Sequence, residues 1–137
     1  MGYLTVATIG FGLTLVFIKL SSVRASPIVN NLIFTGVAAI VQLSVFFFYK
    51  LKGAPLTVTA RGLSFSALGG LCLGIYTVML FLTFSQLPVS KASPVIYSGA
   101  ILLASGFGML LLGEGVSWQK LVGMTLLIVS LFLVFSQ

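Results

Sequence analysis

The side chains able to do chemistry in this chain are few, and nearly all of them are neutral. Its 137 residues include no His and no Asp, and the only side-chain carboxylate is Glu114. A Ser-His-Asp or Cys-His arrangement, a zinc site and a carboxylate pair each need residues that are absent. These standard hydrolytic routes are excluded; no cofactor is expected, and the chain is not read as an enzyme. The lone Cys72 allows no internal disulfide and reads as a small packing residue. What remains is recognition by neutral groups: Gln42, Tyr76, Tyr97 and Ser98, with Thr35, Thr77 and Ser105 nearby in sequence. They suit a neutral or zwitterionic solute, because they offer no buried countercharge to a multivalent anion or a free cation.

These residues sit in five long apolar stretches. Tyr3–Leu20, Ile28–Tyr49, Leu63–Phe84, Pro94–Leu112 and Trp118–Phe135 run 18, 22, 22, 19 and 18 residues, with only Lys19 and Lys120 charged inside them, both near an end. A hydrocarbon core about 30 Å thick needs roughly 20 helical residues to cross. Composition agrees: 59% of residues are hydrophobic, 6% are charged and mean hydropathy is +1.25. A buried soluble core is the alternative, but such helices usually present apolar runs of only about 10–14 residues. The expected fold is an all-α integral membrane protein with five transmembrane helices. The first stretch lacks a basic leader and a clean small-x-small cleavage site, so it reads as a permanent helix.

The net charge of +6 does not point to nucleic acid. The basic residues are scattered over loops and helix ends, as interfacial anchors are, with no aromatic platform to track phosphates. Connections are short, at Ser21–Pro27, Lys50–Gly62, Ser85–Ser93 and Gly113–Ser117, so function must reside in or between the helices. Pro27 and Pro94 are expected at helix starts, where a missing N–H costs nothing. Ser117 is expected to cap the last helix. Small residues recur at helical spacing: Thr5, Thr8 and Gly12; Ser66, Gly70 and Gly74; Ala100, Ala104 and Gly108. In lipid such ladders permit close helix contact, so Gly70/Gly74 and Ala104/Gly108 are expected at helix–helix interfaces.

Gln42 either bonds across to another helix or contacts a solute, since an amide faces lipid only at a cost. Tyr76, nearer the middle of its stretch, fits a cavity better than an interfacial tyrosine does. Asn30 and Asn31 are accounted for by headgroup contact. Glu114 is expected to act locally, accepting from the first amides of the last helix or pairing with Lys120.

The run Phe81-Leu-Thr-Phe-Ser-Gln-Leu-Pro-Val-Ser-Lys-Ala-Ser-Pro94 leads into a small-residue helix. That helix exits through Leu111-Leu-Gly-Glu-Gly-Val-Ser-Trp-Gln-Lys-Leu-Val-Gly123. With Leu112, Gly113, Glu114 and Gly123 in this order, and a first helix ending Phe17-Ile-Lys-Leu20, the chain resembles the EamA domain of the drug/metabolite transporter superfamily. The resemblance spans residues 1–137 as a single five-helix domain. It implies half of a ten-helix inverted-repeat transporter, in the cell (inner or plasma) membrane. The related small multidrug transporters differ, being four-helix proteins with a Glu in the middle of the first helix. Here that region holds Thr8, Gly10 and Gly12.

An odd helix count places a second copy upside down relative to the first. Lys19, Arg24 and Lys91 lie on one side, three basic residues against four (Lys50, Lys52, Arg61 and Lys120) on the other. A bias of one charge scarcely fixes orientation. The expectation is an antiparallel homodimer, or a heterodimer with a paralogue, that moves a small metabolite such as an amino acid by alternating access. Export is implied by the resemblance alone. Other readings are a non-transporting accessory subunit, a flippase for lipid-linked substrates, and one half of a ten-helix parent.

Overall fold

A computed structural model describes residues 2–111 and 113–135, and among these every regular element is a helix. They are α1 (Gly2–Ser22), α2 (Pro27–Leu51), α3 (Ala60–Gln86), α4 (Val89–Leu111) and α5 (Trp118–Phe135). Helices α1 to α4 are long and apolar enough to cross a membrane. α5, with 18 residues, is the shortest; at 1.5 Å per residue it reaches about 27 Å. The all-helical membrane fold is therefore as the apolar runs predict, with four full-length spans and a shorter fifth helix.

Helix ends follow local chemistry. Pro27 opens α2 in the first turn, as expected. Ser117 Oγ accepts from the Lys120 amide at 3.2 Å and caps α5. Pro94 differs from expectation: it lies inside α4, which begins at Val89. The Pro88 carbonyl accepts from the amides of Lys91 and Ala92, both at 3.1 Å, so the earlier proline starts the helix. The α3–α4 connection shrinks to Leu87-Pro88.

The chain forms two compact units, Met1–Gln86 and Leu87–Gln137. In the first, α3 packs on both α1 and α2, and α1 also meets α2. Contact gathers at one end. Ile18, Leu80, Phe81 and Phe84 are buried, and the Phe34 and Phe81 rings meet edge-on at 5.7 Å. Residues 2–13, 39–51 and 60–75, the opposite ends of the same three helices, are exposed almost throughout.

The Gly70/Gly74 expectation fails here. A Cβ at either position meets nothing within 4 Å. Bulky side chains further along α3, not its small-residue face, make the helix contacts of this unit. In the second unit α4 packs on α5 and Gly108 is buried, whereas Ala104 is exposed.

Candidate functional site

Most hydroxyls in the crossings are satisfied within their own helix. Thr8, Thr14, Thr35, Ser44 and Thr83 donate to carbonyls four residues back, at 2.8–2.9 Å. Buried Thr77 donates to the Gly74 carbonyl at 3.1 Å. Back-bonding of this kind hides a hydroxyl from hydrocarbon without a partner helix. Thr35 and Thr77 are thus accounted for structurally.

The four residues best suited to a solute divide between the units. Gln42 and Tyr76 belong to the first, Tyr97 and Ser98 to the second. Gln42 is exposed, on the half of α2 that neither α1 nor α3 covers, and its amide makes no hydrogen bond among the described residues. Tyr76 is half-buried at the point where α3 enters the packed end. Tyr97 and Ser98 are adjacent and half-buried on α4. A groove of about 610 Å³ in the first unit is lined instead by residues of the packed end, with neither Gln42 nor Tyr76 among them.

That packed end holds two polar ties which the residue pattern did not reveal. Lys19 Nζ, in the last turn of α1, donates to the Phe84 carbonyl at 2.6 Å. In a continuing helix the amide of residue 88 would serve that carbonyl, but Pro88 has no N–H. A lysine at the C-terminal end of α3 satisfies the orphan and complements the helix dipole. Asn30 Nδ2, near the start of α2, ties it to the end of α1. It donates to the Ser21 carbonyl at 2.8 Å, which also accepts from the Arg24 and Ala25 amides, and to the Ala25 carbonyl at 3.2 Å. Asn30 therefore has partners within the protein, where headgroup contact alone was expected. The available signal was Pro88 itself, four residues after Phe84.

In the second unit Gly113 takes a left-handed φ of 64°, and the Glu114 amide donates back to the Gly108 carbonyl at 3.2 Å. The Glu114 carboxylate then lies over Gly108, where an added Cβ would come within 3.1 Å of Oε2. It pairs with Lys120 at 3.6 Å, with both side chains about half exposed. This is the local role expected of Glu114. Ser105, Met109 and Met124 line a groove of about 290 Å³ beside the pair. Among the described residues no group of His, Cys, Asp and Glu could hold a metal.

The sequence model of the EamA-like transporter family matches residues 1–136, across both units. No curated protein and no solved structure matches the chain.

Proposed function

Because the chain belongs to the EamA-like transporter family, we propose that it carries a small neutral or zwitterionic metabolite, such as an amino acid, across the cell membrane. The family is one of membrane transporters, and four spanning-length helices make the chain a multi-pass membrane protein. In this reading Gln42, Tyr76, Tyr97 and Ser98 contact the solute, no cofactor takes part, and the inner or plasma membrane is the site of action. The direction is export, on the family likeness alone.

One observation carries the further step to a dimer. Within the first unit the ends of α1, α2 and α3 away from Phe84 do not cover one another, and they carry Gln42 together with Gly70 and Gly74. An amide facing hydrocarbon costs several kcal/mol, on the order of what one or two good contacts return. A second chain that covers this region removes the cost and brings small-residue faces into close contact. Inverted relative to the first, it completes a ten-helix transporter around a midplane cavity that works by alternating access.

The test is solute flux in liposomes containing only this chain. Saturable uptake of neutral or zwitterionic amino acids supports the reading. A folded chain without flux is an accessory subunit, and movement of labelled lipid in place of solute indicates a flippase.

A further inference from the structure

The groove at the packed end of the first unit takes no part in the transport reading. Phe17 and Leu20 of α1, Ile33 and Phe34 of α2 and Phe81 of α3 form its apolar walls, and Arg24 belongs to its rim. Phe17, Leu20 and Ile33 are 65%, 45% and 60% exposed, so the packing of α1, α2 and α3 leaves the walls open. Arg24 follows the end of α1 by two residues, and a spanning helix ends at headgroup depth.

Charge narrows the occupant. Lys19, Arg24, Lys50, Lys52 and Arg61 all fall in the first unit, which has no side-chain carboxylate. Glu114, the chain's only one, pairs with Lys120. The neighbouring cation, Lys19, already donates to Phe84. Arg24 is thus the cation available at the rim, and a guanidinium is well matched to phosphate oxygens. A second copy of the same surface would set like charges against each other. We infer that this groove binds an anionic phospholipid, with its phosphate on Arg24 and an acyl chain along Phe17, Ile33 and Phe34.

A tryptophan in the groove reports occupancy. On a Trp118→Phe background, Phe17→Trp is reconstituted in phosphatidylcholine vesicles containing a low fraction of either phosphatidylglycerol or phosphatidylcholine with brominated acyl chains. The expected result is preferential quenching by the brominated phosphatidylglycerol, corresponding to roughly fivefold enrichment beside the reporter, as one surface arginine contributes. Arg24→Gln removes the preference, Arg24→Lys keeps part of it, and Lys50→Gln with Lys52→Gln leaves it in place. Each variant is first shown to elute as a single folded species. Equal quenching by the two lipids, or a preference that survives Arg24→Gln, overturns the assignment. So does a reporter shielded from both lipids, the sign of a second protein chain in the groove.

Discussion

Lys19 Nζ and the Phe84 carbonyl oxygen lie 2.6 Å apart although 65 residues separate them in sequence. The bond joins the last turn of α1 to the last turn of α3, where Phe84 is fully buried. It exists because Pro88 denies that carbonyl its usual donor. A hydrogen bond from a charged group contributes about 1.5–3 kcal/mol. Lys19→Met is therefore expected to lower unfolding stability in detergent by about that amount, and Lys19→Arg by less. In a Pro88→Ala background an amide becomes available to Phe84, so Lys19→Met should cost distinctly less there. Equal losses in the two backgrounds would remove the capping explanation.

The turn after α4 is tested at two glycines. Gly113 holds a left-handed φ of 64°, so Gly113→Ala should destabilise by about 1–2 kcal/mol. Gly108→Ala should be tolerated, because the carboxylate it crowds is flexible and half exposed, and alanine favours the helix by about 1 kcal/mol. Glu114→Gln should change stability by at most about 1 kcal/mol, as for other exposed pairs. Thermal unfolding in detergent measures all three. A large loss at Gly108→Ala would mean the carboxylate cannot move aside.

Gly74 separates folding from assembly. With nothing within 4 Å of a Cβ there, Gly74→Leu should not lower the stability of the single chain, and the better helix former should raise it slightly. The same change should weaken a dimer formed through that face, lowering the dimer fraction seen by cross-linking in membranes. Loss of single-chain stability, or an intact dimer, would count against an interface at Gly74.

Legibility in the sequence varied by kind of feature. The helices were readable because a spanning segment must be apolar along its whole length; the run Leu63–Phe84 lies wholly inside α3 (Ala60–Gln86). The start of α4 was misplaced because two prolines compete for it, and Pro88 begins the helix while Pro94 is accommodated inside. Small-residue ladders announce that a close contact is possible without naming the partner. Gly108 has one in Glu114, while Gly70 and Gly74 have none among the described residues of their own unit. Thr35 and Thr77 showed that polarity inside a crossing need not mark a cavity. The Lys19–Phe84 tie was hidden because it depends on a long-range fold, although Pro88 pointed to the orphan carbonyl.

Gln42 bears directly on the solute site. If its amide contacts substrate, Gln42→Leu should lower flux roughly tenfold, the value of one lost hydrogen bond, while the chain stays folded and dimeric. Unchanged flux with altered dimer stability would assign it to helix contact instead.

Orientation should respond to charge. Removing Lys50 and Lys52 takes four basic residues on that side to 4 − 2 = 2, against three for Lys19, Arg24 and Lys91. The side with three should then become cytoplasmic in most copies. Flux should fall with it, because fewer chains find an inverted partner. A distribution of orientations that does not move would show that features other than loop charge control insertion.

Completion of the transporter by an inverted second copy is tested most directly by labelling one loop position from each side of the membrane. Thr57, exposed in the α2–α3 connection, is changed to Cys on a Cys72→Ala background and treated in intact cells with an impermeant thiol reagent. The account predicts two populations in the same cells, one labelled from outside and one only after the membrane is opened. Labelling from a single side in every copy would contradict it and leave a differently oriented partner chain to supply the second half.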